Sequence, residues 1–585
     1  MSWRWAWLIA GVALLGLQSS MRSGIQQRQE QAELVLPTTE GASADLSVPV
    51  LALGAFRGLV VDYLWLRAET LRRDERYLEA RQLNRQICRL QPRVWITWNH
   101  LAHDLAYNVS REQSTPEARW RWIRSGISVL RDDGLRFNPR EPQLYLRLAN
   151  TFEDKLGSYA DDFHAYYKRW YAQELHAVLG DATLEELAAA PPLDAHPDPA
   201  VARLLDQLAA LEQEPLELLI DAAALGDDAL SEAYDASVVQ TLARLREDPA
   251  WPAAQLAARA EALRARYRFE PSTLLEVEAK WGQLDWRTCH AASVYWAELG
   301  RRAALEQGML WDAAQLERVA LLGLRNAMRR GRVVILPNGE VWLRPLPQLA
   351  VSLDRNYRLA IETLEALDRE LQARIDDPRR GGEDALSELE LELKGNLLGH
   401  IANMRTTHMD QLVESIALLS DYGLDAEGRQ LYANGRATYP EWNDWRENYD
   451  DFVTRVQIMR YADSDQIFES HSSMSQYVEG CWIQAYRAIA FGEDEQFKTQ
   501  RMRAQRAERR WTTYLAGLSK HDARAAQRLG VPFETIRKRA AFTAAQSLSP
   551  QLRQRLADRA GLPREVLESP PEEITLPPAR EGRPR

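Results

Sequence analysis

Apolar and polar residues alternate along this chain with a helical rather than a strand period almost throughout. The organising stretch is residues 77–102, YLEARQLNRQICRLQPRVWITWNHLA, which reads as the end of one helical hairpin, a break at Pro92 and the start of the next hairpin. Far upstream, residues 5–17, WAWLIAGVALLGL, are apolar without interruption. They are shorter than the roughly 20 residues of an average membrane span, but no A-x-A cleavage site follows, and Trp3, Trp5 and Trp7 suit an interfacial belt. The expectation is therefore an uncleaved anchor, with a cleaved export signal as the alternative. Residues 21–47 are a polar linker. The stretch VPVLALGAFRGLVVDYLWLRAETL that follows carries Arg57, Asp62 and Arg67, which a lipid-facing span disfavours. It is expected to be the buried first helix of a solenoid. A single strand pair is predicted, RVVIL-PNG-EVWLRP at 332–345, with Asn338-Gly339 as a type I′ turn. Two strands alone are marginal, so they must lie against helices.

Two sets of markers share one offset. Pro92 to Pro139 is 47 residues, and so is Trp98, which opens WNHLA, to Tyr145, which opens YLRLA. Tyr77, Ala80 and Pro92 fall where a tetratricopeptide (TPR) repeat's second helix places its aromatic, its small residue and its terminating proline. Trp98, Leu101 and Ala102 supply the W-x-x-L-G/A opening of the next unit, Tyr145, Leu148 and Ala149 do so again, and Trp296, Leu299 and Gly300 in YWAELG give its cleanest form. The chain thus resembles the tetratricopeptide-repeat family. The standard unit is about 34 residues, so the extra length is expected around NVSREQSTPE at 108–117. The resemblance implies an all-α solenoid of helical hairpins whose first helices line a concave groove for a peptide or a partner helix. The marker residues would shape that groove rather than touch its occupant. Further second-helix and hairpin signals come at Ala426 and Trp482.

Composition divides the chain further. Residues 181–270 turn to Ala, Leu and Glu with several prolines and look like an inserted helical lobe between repeat regions at 48–180 and 271–497. The net charge is −11, yet residues 498–560 hold fifteen Lys or Arg against four Asp or Glu. That stretch is +11, which leaves −22 for the rest of the chain. Arg501, Arg503, Arg506, Arg509, Arg510, Arg537, Lys538 and Arg539 are its expected basic surface, within a helical module at 498–568. The tail at 569–585, rich in proline and charge, is expected to be disordered.

Candidate chemistry is sparse. Cys88, Cys289 and Cys481 are far apart and form no C-x-x-C pair, so neither a disulfide framework nor a zinc site is indicated. His100, His103 and Asp104 share a helix face but lack a third or fourth nameable ligand, and His400 and His408 are weaker still. No phosphate loop, nucleophile elbow or dinucleotide fingerprint occurs. No cofactor, metal or catalytic residue is expected. Residues 523–539 resemble a helix-turn-helix through the spacing of Ala526, Gly530 and Ile536, with Arg537, Lys538 and Arg539 at its end. Pro532 and Phe533 depart from the polar start of a recognition helix, and export would remove DNA from reach. The expectation is a single-pass membrane protein whose bulk lies on the extracytoplasmic, periplasmic side. It would scaffold an envelope complex, with residues 498–560 contacting anionic lipid or an acidic protein face. A nucleic-acid-binding regulator is the alternative.

Overall fold

The computed structural model describes residues 57–569 apart from 75, 159–160, 336–340, 378–385, 460–470 and, between 521 and 531, all but 523, 526 and 530. The segment 5–17, the turn at Asn338-Gly339, the tail from 570 and much of the helix-turn-helix-like stretch lie outside the described residues, as do the side chains of Tyr77 and Arg510. The chain is all-α with one two-stranded hairpin. Among the described residues, no helix is long and apolar enough to cross a membrane.

The first six helices form three hairpins: α1 (Arg57–Arg73) with α2 (Tyr77–Leu90), α3 (Trp95–His103) with α4 (Pro116–Ser128), and α5 (Pro142–Asn150) with α6 (His164–Leu179). Pro92 sits in the turn that ends α2. Helix α1 was expected to be buried, but only the Val61, Ala68 and Leu71 face is covered. Leu59, Tyr63 and Leu66, one and two turns apart on another face, are 65 to 71% exposed. The physical reason is position: α1 ends the described array and has α2 as its main neighbour.

The 47-residue offset has a structural counterpart. Helices α3 and α5 both continue into π-helical segments, Asp104–Asn108 and Thr151–Gly157, which begin at the same offset. The indole Nε1 of Trp98 donates to the Pro92 carbonyl at 2.8 Å, and the Tyr145 hydroxyl donates to the Pro139 carbonyl at 2.8 Å. In each unit the opening aromatic thus ties down the proline that ended the preceding helix, six residues back. Trp98 also stacks on Phe137, with ring centroids 5.8 Å apart. The extra length of the unit is not confined to 108–117. Part of it forms the 3₁₀ turn Val109–Glu112, and part lengthens α4 through a π-helical segment, Val129–Gly134, and a last turn, Leu135–Phe137.

Six short helices follow: α7 (Leu184–Ala189), α8 (Pro199–Ala209), α9 (Pro215–Ala224), α10 (Asp227–Ala233), α11 (Ala236–Leu245) and α12 (Trp251–Ala262). The last ends in a π-helical segment, Leu263–Tyr267. Next come α13 (Pro271–Trp281), α14 (Cys289–Glu306) and α15 (Leu310–Arg330). Helix α14 packs on α5 and α15 together, so the 181–270 stretch is spliced between elements that are neighbours in space. The small residues set these distances. A Cβ on Gly300 would lie 2.5 Å from Tyr145 Cβ, and one on Gly126 would lie 2.8 Å from the Ala102 carbonyl oxygen. Ala80, Trp98, Leu101, Ala102, Leu148, Ala149 and Trp296 are buried at such contacts, and Leu299 is half-buried beside them.

Strands β1 (Arg332–Ile335) and β2 (Val341–Arg344) pair antiparallel with Val334 opposite Trp342. As required, they lie against helices: β2 touches α6 and α15, while the Trp342 ring meets Phe491 at 4.8 Å. Beyond them run α16 (Leu349–Ile375), α17 (Glu388–Asp421), α18 (Asp425–Thr438), α19 (Tyr449–Met459), α20 (His471–Phe491), α21 (Asp494–Ser519), α22 (Phe533–Gln546), α23 (Pro550–Ala560) and α24 (Arg564–Glu568). Trp482 does not open a hairpin. It lies in the middle of α20 and packs in a second core formed with α21 and α22, which Trp342 joins from the side.

Glu298 on α14 is 1% exposed and accepts from Lys280 (3.0 Å), the Trp281 indole (3.2 Å), Arg302 (3.1 Å) and both arms of Arg301 (2.8 Å each). Burial alone would raise its pKa, but the Arg301 fork and the Lys280 ammonium outweigh that and hold it at about 2. A carboxyl depressed in the fold stabilises above its unfolded pKa, and that contribution fades as pH falls from about 4.5 towards 2. Denaturation of Glu298→Gln should show a loss of about 3 kcal/mol at neutral pH, because three cations lose their buried partner, and a shallower decline of stability between pH 4.5 and 2 than the parent. Gly300→Ala should destabilise by about 1–3 kcal/mol, because the added methyl meets the Cβ of Tyr145 rather than a flexible tip. A melting temperature unchanged or raised by helix propensity would refute the close α5–α14 approach.

Candidate functional site

The aromatic-rich segment DDFHAYYKRWYAQEL becomes α6, and a cavity lies beside it. It encloses about 880 Å³ among α4, α6, α9 and the end of α12. Its wall takes residues from three of the π-helical segments: Val129, Arg131 and Asp133 from the first, Phe152 from the second, and Arg266 and Tyr267 from the third. A π-helical turn rotates the following side chains out of the α-helical register, and such turns recur at binding sites. Here the effect is visible in Thr151–Gly157, where Phe152, Glu153, Lys155 and Leu156 are all buried and so face several directions at once.

The cavity mixes rings with charges of both signs. Trp120 stacks on Tyr167 at 5.9 Å, and Phe152 lies against Tyr171 at 5.6 Å. Arg124 donates to Glu174 at 3.1 Å, and Arg266 pairs with Glu217. Burial raises the Glu174 carboxyl above its usual range, and Arg124 only partly offsets it. Tyr171 is 4% exposed, and its hydroxyl has no hydrogen-bond partner among the described residues. Burial pushes that hydroxyl well above the ordinary tyrosine pKa, so it stays a neutral donor. A buried hydroxyl without a partner costs about 1–3 kcal/mol. The arrangement offers aromatic walls, a neutral donor and both signs of charge, a set suited to a peptide segment.

Beside the cavity, Glu153 bonds His290 Nδ1 at 2.9 and 3.1 Å and accepts from Asn326 at 2.8 Å. Burial would raise this carboxyl, but His290 and Asn326 hold it below the usual range. The Nε2 of His290 is buried without a partner among the described residues. Cys289 lies next to it, its thiol pushed up to about 12 by burial, so it carries no thiolate. His408 is enclosed in a different cluster, bonded to Asp354 at 3.1 Å and Tyr439 at 2.8 Å.

The expected basic surface is only partly a surface. Arg501, Arg506, Arg509 and Lys538 are exposed. Arg503, by contrast, is buried, because Asp421 pairs with it at 2.7 Å and the Gln500 amide oxygen accepts from it at 3.0 Å. Arg537 forks onto Glu508 above the Trp482 ring, and Arg539 forks onto Glu479. Arg559 pairs with Asp494 at 2.7 Å. Asp421, Glu479 and Asp494 all precede the basic stretch, so the acidic body meets part of its charge. Ile536, the apolar member of the helix-turn-helix-like spacing, is fully buried in the second core.

None of the cavity residues was singled out from the sequence. The available signal was the run of five aromatics and a lysine in FHAYYKRWY, more rings than one helix–helix seam needs. The π-helical segments carry no such mark. Tyr171→Phe removes the unpartnered hydroxyl and keeps the ring, so chemical denaturation should show unchanged or increased stability, by up to about 1 kcal/mol. A clear loss would mean that the hydroxyl is satisfied in the folded chain. No protein-family model matches this chain, and comparison with curated proteins and with solved structures gives no match either.

Proposed function

We propose that the chain is a membrane-tethered, tetratricopeptide-like helical scaffold that seats a segment of a partner protein in the cavity beside α6, within an assembly of the bacterial envelope. The observation that carries this reading is the Tyr171 hydroxyl, buried and unpartnered in the wall of an 880 Å³ cavity that offers rings and charges of both signs. A stability cost held at a site is repaid when a ligand satisfies it. The cavity opens between the second and third hairpins and the inserted lobe, and it is lined by their second helices, α4 and α6, rather than by the first helices that the family resemblance implies. The tether rests on the sequence of residues 5–17. It is supported by the exposed Leu59, Tyr63 and Leu66 on α1, the described helix nearest that segment in the chain. The regulator reading has less support, since Arg537 and Arg539 are both forked onto carboxylates and Ile536 is in a core.

A photo-crosslinking side chain at position 124, on the cavity rim, should give a discrete adduct with one protein in intact cells. The same group at position 495, an exposed site in the first turn of α21, should not. Tyr171→Phe should weaken the position-124 adduct although it does not destabilise the chain. Equal labelling at both positions, or none at 124, would overturn the scaffold reading. For the tether, the chain should stay with membranes through an alkaline wash and keep Met1 or Ser2. A soluble chain beginning near residue 20 would remove it.

A further inference from the structure

The outer face of α1 has the pattern of one helix of a coiled coil. Leu59, Tyr63, Leu66 and Thr70 are exposed and follow one another at alternating four- and three-residue spacings, which keep a seam on one side of a helix. Behind the seam, Val61 packs with Ile87 and Leu90 of α2, and Trp65 meets His100 of α3 edge-on at 4.9 Å. The body of the chain thus lies on the far side of α1. We propose that two copies of this chain pair through the seam, with their α1 helices parallel.

The charges at the edges of the seam select the occupant and its direction. Asp62 precedes Tyr63 on one edge, and Arg67 follows Leu66 on the other. Both are exposed and have no ion pair among the described residues, whereas the nearby Glu69 is taken by Arg72 and Arg73 of its own helix. When two such helices lie parallel and in register, the residue before one seam position meets the residue after the partner's next seam position. Asp62 therefore meets the partner's Arg67, and Arg67 meets the partner's Asp62. One complementary pair becomes two by symmetry, as a two-fold contact requires. Antiparallel helices would instead set the two Asp62 edges against each other. One turn further on, the parallel register opposes Glu69 to the partner's Asp74, but Glu69 is already held by two arginines and α1 ends at Arg73. A bilayer suits the face less well, because a helix lying on lipid presents basic edges and Asp62 stands beside this seam.

Leu59 to Thr70 covers about 17 Å of helix, a small contact for two free chains. The strength of the pairing rests on the tether of the scaffold reading, since two chains held in one bilayer meet at a raised effective concentration. Parallel α1 helices also send both N-termini the same way, as two anchors in one membrane need.

The test introduces Leu59→Cys and Leu66→Cys singly into the full chain and oxidises intact cells with copper phenanthroline. Cys88, Cys289 and Cys481 are all buried, so the parent serves as the blank. Both variants should form a disulfide-linked dimer, because in a parallel pair each seam residue meets its own copy. Asp62→Arg and Arg67→Asp should each lower the Leu66→Cys dimer at least about threefold, and the two together should restore it. A dimer at 66 but not at 59, or no restoration in the double variant, overturns the parallel pairing. Absence of both disulfides overturns it as well. A photo-crosslinking group at position 66 that labels lipid, or residues 1–56 of its own chain, then names the occupant. Tyr171→Phe should change neither disulfide. A chain that stays in membranes through the alkaline wash without either disulfide keeps the tether and loses the pairing, and one that washes free yet forms both keeps the pairing and loses the tether.

Discussion

Helix α14 is buried on every side from Cys289 to Glu298, so each polar group it carries must be met by another element or be left at a cost. That constraint organises the middle of the molecule. Glu298 draws in the Lys280 and Trp281 end of α13, and His290 draws in Glu153 from the π-helical end of α5 and, through that carboxylate, Asn326 of α15. Gly300 then allows α5 to approach closely enough for the pairing to close. The satisfaction is incomplete: Ser293 Oγ, Trp296 Nε1 and His290 Nε2 have no partners among the described residues. Trp296 illustrates why. Its counterparts Trp98 and Tyr145 donate to a proline carbonyl six residues back in a turn. Six residues before Trp296 stands His290, already inside the helix.

The Tyr171 cavity beside α6 can be traced to helices that depart from the α form. Where α5 ends as a π-helix, Glu153 and Lys155 are both turned inward, and their charges must be answered by His290 and by Asp161, which takes Lys155 at 2.7 Å. The wall this leaves along α6 is polar on one stretch and aromatic on the next. Lys168 and Tyr171 are three residues apart on the same helix, so one element lines two pockets without sharing a side chain between them.

The parts of the fold legible in the sequence were those encoded locally. Proline, a small residue and an aromatic at fixed spacing mark a helix end, a close approach and the next helix start, and Pro92, Ala102 and Trp98 occupy those positions. The strand pair was equally local, being a β-branched and aromatic pattern broken by one turn signal. What escaped depended on partners distant in the chain. Nothing near Arg503 announces Asp421, and nothing near Glu153 announces His290, so a buried ion pair and an exposed one are written with the same letters. The face of α1 was misjudged for a related reason: its apolar content is plain, but the absence of a described neighbour on one side belongs to the architecture.

The inserted lobe has a temporal meaning. Helix α5 is synthesised with Tyr145 and Leu148 ready to receive α14, but residues 181–270 must emerge before Gly300 does. At about 5–20 residues per second, the seam that closes the central core waits on the order of ten seconds or more after its first half has left the ribosome. During that interval the face of α5 that receives α14 has been made but its partner has not.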